Sequence, residues 1–287
     1  MDKTDEKKVK ENKDSGFSQY NINFGERTYI MGIVNITPDS FSDGGDFFSL
    51  EKAVYHAKEM LRQGADIIDI GGESSRPGHT RISAEEELKR VMPVIERIIN
   101  ETDAIVSLDT MRSEVAEEGL NCGVHIINDI WGLQGDGRMA EVVAKYDVPV
   151  IIMHNKHDTY YERDIIEEMN GFFKKSIEIA LGAGIGEDKI VLDPGIGFGK
   201  VFEQNILVLR RLNEFKKLGF PILLGTSRKS SLGRILGVPP KERLEGTLAT
   251  TAIGIMQGVD IVRVHDVEEN LKAAKVADAI VRGILNG

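Results

Sequence analysis

From Tyr29 onward, the chain repeats one pattern of hydrophobic and polar positions. A short aliphatic run is followed by a polar or glycine-containing step, and then by a longer stretch in which apolar residues recur every three or four positions. Short continuous apolar runs are typical of buried strands, and the longer spacing is typical of amphipathic helices. The pattern predicts eight strands, over Tyr29–Ile36, Ala65–Gly71, Ala104–Asp109, His125–Ile130, Pro149–His154, Ile190–Asp193, Pro221–Gly225 and Asp260–Val264.

Amphipathic segments lie between these strands, and several of them end at a glycine, as helices with a left-handed cap do. Examples of these segments are 50–64, 84–100, 138–146, 205–219 and 244–258. Continuous apolar strands that alternate with helices indicate a parallel sheet covered by helices. Eight such units predict an α/β protein with a single (β/α)8 TIM barrel, in which the active site lies at the carboxyl ends of the strands.

A doubly wound open sheet is the rival architecture. It usually has fewer strands and a G-x-G-x-x-G turn after the first strand, whereas "IVNITPDS" stands at that place here. Residues 1–16 alternate lysine with acidic residues and contain one aliphatic side chain beyond Met1, that of Val9. Such a segment buries too little apolar surface to offset its ordering entropy, so a disordered tail is predicted, with the barrel over 17–287.

Composition and charge narrow the classes of partner. The 287 residues carry a formal charge of −10, which disfavours binding to nucleic acid and to anionic membranes, and no window is apolar enough to span a membrane. Cys122 is the only cysteine, which excludes an internal disulfide and a multi-cysteine zinc site. A cytoplasmic protein with small-molecule ligands is therefore predicted.

Polar side chains follow every predicted strand and suggest a ring around a pocket. They are Asn35, Asp69, Asp109, Asn128 with Asp129, His154 with Asn155, Asp193, Ser227 with Arg228 and Lys229, and Arg263 with His265. Single aspartates at strand ends are more often turn or helix-cap residues than ligand contacts, and Asp69 and Asp129 are assigned to that class. Asp109 and Asp193 are assigned to the pocket.

Three further features of this ring stay open at the level of sequence. His154 is either a core histidine or a member of the site. Arg263 and His265 are two residues apart and project to one face, so they form either an anion subsite or part of an Arg–Asp structural pair. The run "DPGIGFGK" lacks P-loop spacing, and its glycines are expected to let the backbone and Phe198 approach a flat ring.

Two longer motifs, "MGIVNITPDSFSDGG" and "GADIIDIGGESSRPG", resemble the two signatures of the dihydropteroate synthase family. The shorter motifs "SLDT", "INDI", "MH", "DPGIGFGK", "SRKS" and "RVHD" follow in the order of the family, and together they cover Met31 to Asp266. The resemblance implies a transferase of folate biosynthesis that condenses hydroxymethyl-dihydropterin pyrophosphate with p-aminobenzoate, giving dihydropteroate and pyrophosphate. It also implies a homodimer that pairs through the late helices.

The same resemblance implies a role for each matching residue. A pterin site would contain Asp109, Asn128, Ile130, Met153, Asp193, Phe198, Lys229 and Arg263. A catalytic group would contain Asn35, Asp43, Arg76, Lys229, Arg263 and His265, with Mg²⁺ held through Asn35. Departure of pyrophosphate in an SN1-like step would leave a cation on the pterin methylene, so stabilisation of the leaving anion would be the largest catalytic contribution.

The polar loops "TPDSFSDGG" and "SSRPG" would close over the bound pterin and complete a p-aminobenzoate pocket. That pocket would contain Pro38, Phe41, Ser75, Arg76, Pro77, Phe198 and Ser230. Two positions depart from the family pattern, since Ser75 stands where threonine is frequent and Trp131 stands where a small polar residue is common. These departures concern the contacts to the aryl amine and the packing beside the pterin.

Two other functions remain compatible with a pterin-binding barrel. One is a methyltetrahydrofolate:corrinoid methyltransferase, which would share the Asp–Asn–Asp recognition of the pterin edge but would lack the two long loops. The other is an inactive pterin-binding paralogue, against which stand Asn35, Arg76, Lys229, Arg263 and His265. A requirement for Mg²⁺ and the release of pyrophosphate would distinguish the synthase from both alternatives.

Overall fold

The structure is a computed structural model that describes residues 16–36, 45–73 and 81–284, without the side chains of residues 45–49. The eight strands are β1 Tyr29–Asn35, β2 Ile67–Gly71, β3 Ile105–Asp109, β4 Ile126–Asp129, β5 Val150–Met153, β6 Ile190–Asp193, β7 Leu223–Leu224 and β8 Ile261–Val264. The helices of the described residues are α1 Gly45–Arg62, α2 Ala84–Glu101, α3 Ser113–Cys122, α4 Met139–Tyr146, α5 Ile165–Ala183, α6 Phe202–Arg210, α7 Ser230–Leu236, α8 Leu244–Met256 and α9 Val267–Val281. Apart from Gly16, the expected disordered tail lies outside the described residues.

The strands form one parallel sheet that curves into a barrel. Its order is β6-β5-β4-β3-β2-β1-β8-β7, so that β1, the first strand, pairs with both β2 and the last strand, β8. A parallel bridge between Leu192 and Ile222 joins β6 to the start of the β7 segment. The predicted (β/α)8 barrel is confirmed, and the doubly wound sheet is excluded because such a sheet does not pair its last strand with its first.

Alternation along the strands separates two apolar layers. On β1, Tyr29 and Met31 belong to a cluster inside the barrel, whereas Ile30 and Val34 pack outward against the helices. The inner cluster takes one side chain from most strands, and Phe17 and Ile22 cover it at the amino-terminal end of the barrel. Because successive side chains of a strand point to opposite faces, this alternation also fixes which later residues point into the barrel.

The predicted strands match the observed ones to within a few residues, with β7 the shortest at two residues. The continuous helix predicted over 205–219 is wrong, because α6 ends at Arg210 and a 3-10 helix, Leu212–Leu218, follows. The side chain of Gln257 explains the break. Its Nε2 donates to the carbonyl oxygen of Leu209 at 2.7 Å and its Oε1 accepts from the amide of Asn213, so these two groups do not form the helical hydrogen bond between them.

None of the helices within the described ranges combines the length and apolar character that crossing a membrane requires. Helix α9 packs on the outside of the barrel against β1. Its residue Asp278 accepts from the amide and the hydroxyl of Thr28 at 2.7 and 2.9 Å. Both groups of Thr28 are buried, and Thr28 directly precedes β1. Asp278 therefore links the last helix to the first strand.

Replacing Asp278 with alanine should lower the free energy of unfolding by about 2–3 kcal/mol, because the buried donors of Thr28 lose their acceptor. Glu268→Ala on the same helix is the control, since that residue forms only an exposed pair with Lys272 and should change stability by less than about 0.5 kcal/mol. Urea unfolding followed by circular dichroism measures both changes. Equal losses in the two variants would contradict the assignment.

Candidate active site

The carboxyl ends of the strands place a group of charged and amide side chains inside the barrel. Alternation from the inner apolar cluster carries these side chains onto the inner face, because each lies two or four residues beyond an inward-facing position. They are Asp69 on β2, Asp109 on β3, Asn128 on β4, Asp193 on β6 and Arg263 on β8. Four strands thus direct acceptors toward one arginine.

Arg263 stands at the centre of this group. Its Nε lies 2.5 Å from Oδ2 of Asp69, and its Nη2 lies 2.8 Å from Oδ2 of Asp109. Of the alternatives that the sequence left open, the Arg–Asp pair is therefore present in this structure. The two carboxylates occupy edge positions of the guanidinium, which leaves the faces of its plane for a stacked ligand.

The assignment of Asp69 to a turn or cap is wrong. Asp69 lies in the middle of β2, is completely buried, and accepts hydrogen bonds from Arg263 and from Asn128, whose Nδ2 is 3.2 Å from Oδ2 of Asp69. Its sequence signal was its position two residues after Ile67, a member of the inner apolar cluster. Asp129 has the opposite orientation, and its carboxylate accepts from the amides of Trp131 and Leu133, which confirms its role in a turn.

Two buried oxygens of this group have no hydrogen-bond partner among the described residues. They are Oδ1 of Asp69 and Oδ1 of Asn128. The amide of Asn128 is oriented by its donated bond to Asp69, so its oxygen is held as an acceptor inside the barrel. Since buried acceptors without a donor are costly, this geometry suits a ligand that brings N–H groups.

Asp193 ends β6 and is almost fully buried. Its Oδ1 accepts from the amide of Gly195 at 2.8 Å, which fixes the carboxylate relative to the following turn. Burial raises the pKa of Asp193, and the nearby cation of Lys229 opposes that shift. In the other direction, burial lowers the pKa of Lys229 to about 8, and Asp193 limits the change.

A left-handed residue directs Lys229 into the barrel. Arg228 has φ of 57°, an uncommon conformation for a residue with a side chain, and is held by an ion pair with Asp266 and by the bond from Arg243 to its carbonyl oxygen. The turn brings the ammonium of Lys229 to the carbonyl oxygen of Ile196 and to 4.8 Å from the centre of the Phe198 ring.

Two histidines near the strand ends have different environments. His265 follows β8, and its Nδ1 lies 2.9 Å from Oγ of Ser227, which orients the imidazole. His154 is buried against Phe172, and its Nδ1 lies 2.9 Å from Nζ of Lys200. Burial, together with the charge of Lys200, lowers the pKa of His154 to about 2, so His154 is a neutral core histidine.

The remaining predicted site residues divide into two sets. Ile130 and Met153 are buried at the ends of β4 and β5, Asn35 and Phe198 are half-buried, and Ser230 is exposed at the start of α7. The predicted loop residues lie outside the described residues, namely Pro38, Phe41, Asp43, Ser75, Arg76 and Pro77. Trp131, one of the two departures, packs against His157 with ring centres 4.4 Å apart.

Comparisons with known proteins identify the class to which this barrel and its site belong. The sequence model of the pterin binding enzyme family matches residues 31–265. The dihydropteroate synthase of Clostridium beijerinckii is 54% identical over 268 residues, which are 93% of this chain and 98% of that protein.

Solved structures agree with the sequence relatives. The crystal structure of a Clostridium difficile dihydropteroate synthase in the presence of pteroic acid is 62% identical, has a TM-score of 0.89, and is matched over 91% of this chain and 99% of that one. A Xanthomonas albilineans dihydropteroate synthase with 4-aminobenzoic acid is 40% identical, with a TM-score of 0.86 and coverage of 89% and 94%. The chain belongs to the dihydropteroate synthases of the pterin-binding enzyme family, which are transferases, and the relatives support the synthase over the methyltransferase alternative.

Asp109 gives a pH-dependent prediction. Burial raises its pKa to about 7 despite the nearby Arg263, so between about pH 4 and 7 the folded protein holds a proton that the unfolded chain has lost. The contribution of Asp109 to the free energy of unfolding therefore falls as pH rises through this window. Asp109→Asn lacks this dependence, and its melting temperature relative to the wild type should rise from pH 5 to pH 7 and then level off.

Scanning calorimetry of both proteins between pH 5 and 8 measures the difference. Asp129, whose pKa burial raises to about 6, is present in both proteins and cancels. Asp103→Asn, at an exposed site before β3, should show a difference that does not vary with pH. A constant difference for Asp109→Asn as well would show that Asp109 is ionised throughout this range.

Proposed function

We propose that this chain condenses hydroxymethyl-dihydropterin pyrophosphate with p-aminobenzoate, giving dihydropteroate and pyrophosphate. The observation that supports this most directly is the group of acceptors around Arg263, in which two buried oxygens have no donor among the residues that the structure describes. A dihydropterin has a guanidine-like edge of N–H donors, and a ring of carboxylate and amide oxygens is complementary to that edge. The chemistry of the site thus fits the substrate of the family.

The pterin would lie across the carboxyl ends of the strands. Its donor edge would bind Asp193 and Asn128, with Asp109 beside them, and its carbonyl side would accept from Lys229. Arg263 would stack on the ring, because its edge is already held by carboxylates, and Ile130 and Met153 would supply apolar contact. A charged site that is prearranged in this way binds the ring without having to reorganise.

The departure of pyrophosphate changes the charge on both fragments of the pterin substrate. Cleavage of the carbon–oxygen bond places negative charge on pyrophosphate and positive charge on the pterin methylene, which the electron-rich ring stabilises. Arg263 and His265, two residues apart at the end of β8, are proposed to bind the departing anion, with the imidazole oriented by Ser227. Electrostatic stabilisation of developing charge is usually the largest single catalytic contribution.

Mg²⁺ is proposed as the cofactor, held through the amide oxygen of Asn35 and the oxygens of the substrate. Asn35 ends β1 and is half-buried. No group of three or more potential metal ligands, counting histidine, cysteine and acidic residues, occurs in the described part of the chain. The amide oxygen of Asn35 together with substrate oxygens fits Mg²⁺, which commonly takes one or two protein oxygens beside phosphate oxygens. When bound, the ion would neutralise charge on pyrophosphate.

p-Aminobenzoate is proposed to bind outside the pterin. Phe198 lies close to Lys229, and Ser230 is the exposed first residue of α7, where its hydroxyl is accessible to a carboxylate. The proposal extends to Pro38, Phe41, Ser75, Arg76 and Pro77 as lining residues, and to Asp43 and Arg76 as catalytic residues. Loops that close over the site would also exclude water from the cation.

A coupled assay for pyrophosphate tests this function and the alternatives. Release should require p-aminobenzoate and Mg²⁺, whereas an inactive paralogue would give none.

Asp193→Asn should weaken pterin binding by roughly 1–3 kcal/mol, since the amide presents a donor where two acceptors are needed. Asp103→Asn is the control and should bind pterin normally. Unchanged calorimetric affinity in Asp193→Asn would remove Asp193 from the site.

We also propose that the chain forms a homodimer through α8 and α9. A groove of about 560 Å³ runs between these helices and is lined mainly by apolar side chains. Met256, Val276 and Ile280 line this groove and remain 68%, 63% and 77% exposed, and an exposed apolar patch of this kind can mark an interaction site. A two-fold interface that pairs this face with itself would cover all three.

Sedimentation equilibrium tests the homodimer. The wild-type protein should have twice the 31.8 kDa mass of the chain, and Ile280→Glu should shift it toward the monomer, because a carboxylate would be buried at the interface. Leu181→Glu on α5, at a position 42% exposed, is the matched control and should leave the mass unchanged. A wild-type monomer at micromolar concentration would contradict the proposal.

A further inference from the structure

Lys200 is a buried lysine whose surroundings are unusual. Its side chain is 7% exposed in the turn that follows β6, and no carboxylate of the described residues forms an ion pair with it. Its Nζ lies instead within 2.9–3.0 Å of three neutral acceptors, the carbonyl oxygens of Gly195 and Phe198 and Nδ1 of His154. Three acceptors match the three donors of an ammonium group.

Burial acts against the charged form of Lys200, and the three acceptors act in its favour. Burial lowers its pKa to about 7, while Asp193 opposes the change and Lys229 adds to it. His154 is neutral, so its Nδ1 accepts if the ring proton is on Nε2. An apolar side chain in place of Lys200 would leave two backbone carbonyls of the turn without these donors.

The turn itself, residues 194–199, contains no helix or strand. Gly195, Gly197 and Gly199 all have positive φ, so the backbone follows a path that ordinary residues rarely adopt. Side chains from outside the turn fix this path. Lys200 binds two of its carbonyls, Lys229 binds that of Ile196, and the hydroxyl of Tyr161 donates to that of Gly199 at 2.8 Å.

The turn is also connected to two parts of the proposed pterin site. The amide of Gly195 donates to the carboxylate of Asp193, and the carbonyl oxygen of Gly195 accepts from Nζ of Lys200. At the other end, Lys200 holds the carbonyl of Phe198, whose ring lies beside Lys229. Movement of the turn would therefore displace the acceptor edge and the aromatic ring together.

We propose that Lys200 is a positioning residue for the pterin site. Its ammonium does not contact the ligand. It binds the carbonyl oxygens of Gly195 and Phe198, and through these bonds it sets the position of the Asp193 carboxylate and of the Phe198 ring. This inference rests on the proposed function, because it assumes that the ring bound against Asp193 is a pterin.

Lys189 is a control near the opposite end of β6. It directly precedes β6 at the other end of the barrel, is 5% exposed, and donates to the carbonyl oxygen of Asp147 at 2.8 Å. Unlike Lys200, it also forms an ion pair, with the carboxylate of Asp147. Lys189→Met and Lys200→Met thus each remove one buried ammonium from an end of β6. Only the second removal should affect the ligand site.

The test measures binding of 6-hydroxymethylpterin by titration calorimetry, at a temperature where each variant is fully folded. Lys200→Met should bind at least tenfold more weakly than the wild type, and Lys189→Met should bind within twofold of it. Hydrogen exchange should increase in a peptide covering 194–201 of Lys200→Met and not in the same peptide of Lys189→Met. Lys200→Gln, which keeps two donors, should fall between wild type and Lys200→Met.

The outcomes separate the two hypotheses. If the wild-type protein does not bind the pterin, the proposed function fails. If the wild type binds it and Lys200→Met binds equally well, or if both methionine variants lose affinity to the same extent, the positioning role is overturned. Failure of both Lys200 variants to fold would assign Lys200 to the fold alone and would overturn it too.

Discussion

The ion pairing of Arg263 inside the barrel is the interaction on which the site depends. Burying a guanidinium is costly unless acceptors surround it, and Asp69 and Asp109 provide these acceptors from neighbouring strands on the other side of β1. Asp69 also binds the amide of Asn128, so one buried carboxylate fixes a cation and a neutral acceptor. The positions of these groups are thereby set by the register of β-strands, which is more rigid than any loop.

The periodicity of the chain was sufficient for the barrel and for most of this inner layer. The same rule, applied strictly, separates Asp69 from Asp129. Asp69 lies two residues after the inward-facing Ile67, whereas Asp129 directly follows the inward-facing Asn128 and so points away. The prediction that both are turn residues did not take this alternation into account. The partners of Asp69, Asn128 and Arg263, lie on strands that are distant in sequence.

Other features could not be predicted because they depend on contacts between distant segments. The end of α6 is set by Gln257, a residue 48 positions beyond the Leu209 carbonyl that it binds. One of the three acceptors of Lys200, Nδ1 of His154, reaches the turn after β6 only because β5 and β6 are adjacent in the sheet. The local sequence shows a helical pattern at the end of α6 and a glycine-rich run after β6. Neither pattern indicates that Gln257 or His154 will contact these segments.

The site has a surplus of acceptors, and this bears on how it would select a ligand. Three carboxylates, those of the buried Asp69 and Asp193 and of the half-buried Asp109, face the cations of Arg263 and Lys229, and desolvation raises the pKa of Asp109 and of Asp193. A planar ligand rich in N–H groups would relieve this surplus by donating to the two oxygens that have no partner within the described part of the chain. A ligand carboxylate would add to it. A benzoate would therefore be repelled from the inner layer, and its binding would be restricted to the level of Phe198 and Ser230, outside a pterin that is already bound. The electrostatics of the strands alone would then favour an order in which the pterin binds first, and the loops would need only to complete the outer pocket.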